Sequence, residues 1–236
     1  MSQRDAALVL WDVDHTLVSI GGVSRAIYES AFSSVTGRPL RQLASMVGRT
    51  ERAIIIETLK LNDVEASQAF VSKFYTALGV AAQELEARIQ ESGSALPGAQ
   101  EAISVLQTEN VVQSVVTGNI RPIAKTKLQA FGLADGIDLD VGGYGDDGSD
   151  RADLVRLARE RAETKYPASF AGKRTFVIGD TPHDIKGAHD AGAFAVGVAT
   201  GSSSVEVLME SGADLVLADL SNREALRAAI LGPRGI

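Results

Sequence analysis

Apolar positions along this chain follow two rhythms, and the change from one to the other divides it. Near the start, Leu8, Val9, Leu10 and Trp11 form a short continuous run that is cut off by Asp12 and Asp14. This is the pattern of a buried strand ending in an acidic site. From there the spacing becomes helical. Val23, Ala26, Ile27, Ala31, Phe32 and Val35 share one face, closed by Gly37 and Pro39. Ile54, Ile55, Leu59 and Leu61 share a second behind Thr50 as cap, and Phe70, Phe74, Ala77 and Leu78 a third, with Leu85 and Ile89 following. No strand pattern is found between about Ser19 and Ser92.

From Pro97 onward short apolar runs return and alternate with helical stretches. The pattern predicts helices over Gln100 to Gln107, Ile123 to Phe131, Arg151 to Glu163, Asp184 to Ala191, Val205 to Ser211 and Arg223 to Leu231. Between them it predicts strands over Val111 to Val116, Leu139 to Val141, Thr175 to Ile178, Ala193 to Val198 and Asp214 to Leu217. Alternating strands and helices imply a parallel sheet covered on both faces. The fold class is therefore α/β, a doubly wound, Rossmann-like parallel sheet with an inserted all-helical cap. Residues 1–18 and 95–236 would form the core domain and residues 19–94 the cap, joined where Gly and Ser are dense, near Val18 to Gly22 and Ser92 to Pro97.

Composition narrows the possibilities. With 236 residues, 45% hydrophobic and 22% charged, the chain can bury a substantial core. A net charge of -7 offers no basic face for nucleic acid, so a phosphate-bearing substrate must be captured by local groups. Absence of cysteine excludes disulfides, thiolate metal sites and cysteine nucleophiles. The apolar run before Asp12 is too short for a signal peptide, and no uncharged stretch approaches the ~20 residues that span a bilayer. The expectation is a soluble cytoplasmic protein with no membrane and no nucleic-acid partner.

In open parallel sheets ligands bind beyond the carboxyl ends of the strands. Asp12 and Asp14 follow the first strand; Thr117, Gly118 and Asn119 follow VVQSVV; Asp180, Thr181 and Asp184 follow TFVIG. Two like charges about 4 Å apart repel by roughly 4 kcal/mol at an effective dielectric near 20, so this acidic crevice needs a compensator. Oxygen ligands without His or Cys suit Mg2+. Thr117 and Gly118 offer a hydroxyl and a backbone N–H to phosphate oxygens. A fixed cation is also needed. Arg151 opens a predicted helix, where the dipole disfavours positive charge, and is assigned that role. Asp146, Asp147 and Asp150 could give it a merely structural reason, Lys125, Lys127 and Lys173 are rivals, and Lys127 reads more simply as an exposed helix residue. His15 either contacts substrate or fills a turn. Gly48 and Arg49 either approach the leaving group or form a turn with a solvated Arg.

DVDHT, VVTGN and GDTPHD, in that order, resemble the motifs of the haloacid dehalogenase-like hydrolase superfamily, and the helical insertion resembles its C1-type cap. The phosphatase branch is the nearer likeness, similar to phosphoglycolate phosphatase-like members. That resemblance implies phosphoryl transfer from a small phosphorylated metabolite through an aspartyl-phosphate. Asp12 would be the nucleophile, and Mg2+ would be held by Asp12, the Asp14 carbonyl and Asp180. Asp14 would be the acid and base, Thr117 a phosphate ligand, and Asp184 the residue orienting Asp180 or a metal-bound water. An ordinary Asp is roughly one part in a thousand protonated at pH 7, so Asp14 is expected to have raised proton affinity. A sugar-phosphate mutase and a non-catalytic phosphate-sensing module remain alternatives.

Overall fold

In the computed structural model, which describes residues 6–46 and 48–232, a five-stranded parallel sheet is built from both ends of the chain. Its strands are β1 (Ala7–Trp11), β4 (Val111–Val115), β5 (Thr175–Gly179), β6 (Phe194–Val198) and β7 (Leu215–Leu217). Their order is β4-β1-β5-β6-β7. Strand β1 is wholly buried and pairs on both edges, Leu8 opposite Val112 on one side and Thr175 on the other. Side-chain alternation sends Ala7, Val9 and Trp11 into one core and Leu8 and Leu10 into a second. A continuous apolar run is what a strand covered on both faces requires.

The helices α5 (Ala99–Gln107), α6 (Arg121–Ala130), α7 (Arg151–Lys165), α8 (Pro182–Asp190), α9 (Val205–Glu210) and α10 (Arg223–Leu231) cover the two faces. Between β1 and β4 the chain leaves the sheet. It forms α1 (Val23–Thr36), α2 (Glu51–Leu61), α3 (Gln68–Glu84) and α4 (Glu86–Ser92), bracketed by two short strands, β2 (Val18–Ser19) and β3 (Ser94–Ala95), that pair antiparallel. Phe74 on α3 packs against Tyr28 and Phe32 on α1, with ring centroids 6.1 and 6.2 Å apart. The apolar core of these helices is continuous with the Val9 and Trp11 side of the sheet.

Most predicted elements are observed within one to three residues. The strand expected at Leu139 to Val141 is instead a 3-10 turn: the Asp138 side chain accepts from the Asp140 N–H, which closes a turn where a ladder would need extended backbone. Sheet pairing there is reduced to a single bridge between Val116 and Gly143. Among the described residues, no helix is long and apolar enough to cross a membrane.

Candidate active site

The chain runs from β1 out to β4 on one side and returns to β5 on the other, so β1 is the point where the winding reverses. Crevices form at such points, beyond the carboxyl ends of the strands. The residues just past β1, β4 and β5 all line one cavity of about 630 Å³ there, among them Asp12, Asp14, Thr117, Gly118, Asn119 and Asp180. Helices α1 and α2 supply its opposite wall through Ile27, Tyr28, Glu51 and Ile54.

Asp12 is buried, with its N–H donated to the Ile178 carbonyl at 2.8 Å. Asp180 is buried beside it and accepts from the Thr16 hydroxyl at 3.4 Å. Asp184 lies at the start of α8, where Oδ2 accepts from the Thr181 hydroxyl at 2.6 Å and the Thr181 N–H at 3.1 Å. This reciprocal capping box is a local reason for the aspartate at that position. Its Oδ1 is buried without a hydrogen-bond donor, although the Arg151 Nε stands 3.2 Å away.

Asp12, Asp180 and Asp184 each bring a carboxylate oxygen within 4.8 Å of the others. Burial and the facing Asp184 hold the Asp12 carboxyl well above its usual range, and the same two causes push Asp180 up to about 7. An all-oxygen donor set, one oxygen of it orphaned, with crowded charge that favours protonation, fits a hard dication such as Mg2+. A glycine at 201 is required for this packing, since a Cβ there would lie 1.8 Å from Asp180 Oδ2.

Arg151 lies at the first turn of α7, as expected, but its guanidinium is turned to the carboxylates. Nε faces Asp184, Nη1 lies 3.7 Å from Asp12 Oδ1, and Nη1 donates to the Val116 carbonyl at 3.2 Å. Burial disfavours its charge, but Asp184 and then Asp12 outweigh that and raise its affinity for the proton.

Two expectations require correction. Lys127 is not an exposed helix residue: it is 3% exposed, and Nζ donates to both Asp14 carboxylate oxygens at 2.7 Å and to Asn119 Oδ1 at 2.8 Å. Lys127 lies on the buried stripe of Ile123, Ala124 and Leu128, and a charge on a buried stripe needs a partner. Nor is the Asp14 carboxyl raised. Burial pushes it up, but the Lys127 charge and hydrogen bond, with a 2.7 Å bond from Asn119 Nδ2, bring it below its usual value.

Asn119 Nδ2 also donates to the Thr117 hydroxyl at 2.8 Å, so Thr117, Asn119, Asp14 and Lys127 form one hydrogen-bonded chain. Gly118 lets the helical segment approach it. The Glu51 N–H donates to the Gly118 carbonyl at 2.7 Å, and a Cβ at 118 would lie 2.2 Å from the Arg49 carbonyl oxygen. The first turn of α2 is thus capped by the loop after β4, since the Thr50 side chain makes no cap bond.

His15 adopts a left-handed φ of 60°, exposed at the cavity edge, with its carbonyl accepting from the Thr200 hydroxyl at 2.6 Å. Arg49 lines the cavity, but its guanidinium is paired with Glu57 at 2.5 Å and donates to the Ser45 and Ala53 carbonyls. Sequence reasoning did not single out Glu51 or Tyr28. Glu51 is 5% exposed, accepts from the Tyr28 hydroxyl at 2.5 Å, and is pushed up to about 7 by burial against the Tyr28 bond and the Lys127 charge.

A model of the haloacid dehalogenase-like hydrolases matches residues 9–189. A protein of Dickeya dadantii (strain 3937) named "Probable phosphatase IndB" is 29% identical over 123 residues, and the chain spans about half the length of that relative. Among solved structures, CbbY from Rhodobacter sphaeroides, in complex with phosphate, superposes with a TM-score of 0.68 at 16% identity, covering 92% of this chain and 95% of that one. A "predicted phosphoglycolate phosphatase" from Haemophilus somnus gives 0.63 at 21% identity, covering 96% and 99%. At these identities the structures speak for the fold alone.

Proposed function

The chain belongs to the haloacid dehalogenase-like hydrolases, and from that premise we propose that it is a Mg2+-dependent phosphatase that cleaves a small phosphate monoester through an aspartyl-phosphate at Asp12. The single observation that carries this reading is the pairing, in one cavity, of a buried three-carboxylate cluster with a buried lysine bonded to Asp14 and to Asn119, which in turn bonds the Thr117 hydroxyl. One cavity thus holds side chains suited to an anion and side chains suited to a cation.

Asp12, Asp180 and Asp184, with the Asp14 main-chain carbonyl, would hold the metal, which when bound supplies positive charge against the transferring phosphoryl group. Arg151 is given a positioning role, bracing Asp12 and Asp184 from behind. Lys127, the Thr117 hydroxyl and the Gly118 N–H bind phosphate oxygens. An Asp12 carboxylate oxygen attacks phosphorus, and the ester oxygen leaves.

Asp14 protonates that oxygen. In the unliganded site Lys127 keeps Asp14 ionised, so its proton affinity must rise when substrate arrives. A phosphate dianion beside Lys127 does this by drawing the ammonium away and placing negative charge near the carboxyl. The same group then takes a proton from the water that cleaves the acyl phosphate. Residues 19–94 act as the cap over this chemistry, excluding bulk water from the cavity. The test is Asp12→Asn with an aryl phosphate. Turnover is expected to vanish while the thermal melt stays cooperative, and retained turnover in a folded variant refutes the nucleophile.

A further inference from the structure

The cavity wall contributed by α1 and α2 has its own chemistry, and it bears on what is cleaved. Tyr28 and Glu51 form a buried hydrogen-bonded pair there, flanked by Ile27, Ile54 and Ile123. Glu51 stands close enough to Asp14 and Lys127 that both act on its charge. Its main-chain N–H donates to the Gly118 carbonyl at 2.7 Å, next to Asn119, which Asp14 and Lys127 both bond, so Glu51 lies on the side where Asp14 would meet the leaving oxygen. A carboxylate has about four lone-pair positions. The Tyr28 hydroxyl occupies one of those of Glu51. The remainder can accept further donors, whereas the Tyr28 hydroxyl points its one O–H at Glu51 and has no second donor to offer.

The basic groups on the cavity follow the same logic. Of the lysines and arginines lining it among the described residues, Lys127 is paired with Asp14, Arg151 with Asp12 and Asp184, and Arg49 with Glu57. A leaving group carrying a carboxylate or a second phosphate would meet no uncommitted Lys or Arg and would face the Glu51 lone pairs. One carrying a hydroxyl or an ammonium on a short hydrocarbon body would meet an acceptor set in apolar walls.

We infer that Glu51, oriented by Tyr28, is the specificity-determining residue of this site, and that the substrate is the phosphate monoester of a small alcohol whose leaving group bears a hydrogen-bond donor and no second anionic group. The inference rests on the phosphatase reading above and argues against a mutase, which must hold a second phosphate.

The experiment measures kcat/KM at pH 8 with saturating Mg2+ for four esters of similar size: 2-hydroxyethyl phosphate, 2-aminoethyl phosphate, propyl phosphate and phosphoglycolate. An aryl phosphate is run alongside as a control for the phosphatase reading itself. Wild-type protein is expected to turn over one of the two donor-bearing esters at least about tenfold better than phosphoglycolate and better than propyl phosphate. Which donor ester leads tells the amine from the hydroxyl. Glu51→Gln, which adds an N–H donor, is expected to narrow the donor-to-phosphoglycolate ratio about tenfold, with the change mostly in KM. Activity on the aryl control with phosphoglycolate ranked first, or an unchanged ratio in folded Glu51→Gln, overturns the assignment. Should Glu51→Gln fail to fold, the wild-type ranking decides alone. No turnover of any ester, the aryl control included, refutes the phosphatase reading, and the substrate assignment falls with it.

Discussion

Replacing Lys127 by Met keeps the length and most of the volume of the side chain and removes the charge together with its N–H donors, so it isolates what the ammonium does. Nζ sits 2.7 Å from each Asp14 carboxylate oxygen and 2.8 Å from Asn119 Oδ1. At that separation and an effective dielectric near 20, the charge pair is worth roughly 6 kcal/mol before desolvation is charged against it. The Lys side chain is 4% exposed but that of Asp14 is 36% exposed, so solvent screens the pair from one side and the net cost in stability falls to about 1–3 kcal/mol.

The effect on catalysis is expected to be larger. Loss of one preorganised donor to developing charge usually lowers kcat by about 10²–10³, or 2.7–4 kcal/mol. The assay pairs steady-state kinetics on an aryl phosphate with inhibition by inorganic phosphate. Lys127→Met is expected to lower kcat by about 10²–10³ and weaken phosphate inhibition, with Mg2+ affinity little changed. Arg151→Met, which removes a cation from beside Asp12 and Asp184, is expected instead to tighten Mg2+ binding. A Lys127→Met protein with kcat within about threefold of wild type and unchanged phosphate inhibition would refute the assignment, as would loss of phosphate affinity in Arg151→Met alone.

Other expectations follow from the same geometry. Asp180 is pushed up to about 7 by burial and the facing Asp184, and a metal requires it deprotonated. Apparent Mg2+ affinity, read by calorimetry, should therefore weaken about tenfold from pH 8 to pH 6 through this group alone, and a flat profile contradicts it. Glu51 has a folded value of about 7 against an ordinary 4.5, a raised carboxylate, so its contribution to stability is fully present below 4.5 and is lost as pH rises through 7. Denaturant melts should show wild type losing about 3 kcal/mol relative to Glu51→Gln between pH 4.5 and 8, and parallel curves would dispose of the idea. Gly118→Ala puts a Cβ 2.2 Å from the Arg49 carbonyl oxygen, which must push the first turn of α2 off the loop after β4. A stability loss of about 1–3 kcal/mol with reduced kcat/KM is expected, and a wild-type melt with full activity would show that this close approach is dispensable.

Much of this site was legible in the chain because strand ends are conspicuous: an apolar run that stops at a carboxylate or hydroxyl places that residue at the sheet edge. Asp12, Thr117 and Asp180 were readable in that way, and the strand order then brought them into one cavity. Helical residues were harder to read. Lys127 lies on a stripe with Ile123 and Ala124, but periodicity alone does not say whether a lysine ends a buried face or snorkels out of it. Arg151 was found at the expected helix start, yet which way its guanidinium turns depends on Asp184, 33 positions later in the chain. Asp14 was misjudged for the same reason, since its proton affinity is set by Lys127, 113 positions away. The Tyr28 and Glu51 pair joins two helices that share no motif, so no local pattern announced it. The 3-10 turn at Leu139–Val141 was missed because three apolar-flanked residues suit a strand or a turn equally, and a side-chain bond from Asp138 decided between them.

The proposed activity is hydrolysis of phosphate monoesters at Asp12 with a metal held by Asp12, Asp180 and Asp184. Its most direct test is the initial rate of phosphate release from an aryl phosphate by the purified chain, with Mg2+ and then with excess chelator. Steady release that chelation abolishes and added Mg2+ restores is expected; no release from the Mg2+-loaded protein, or release indifferent to the chelator, would overturn the proposed function.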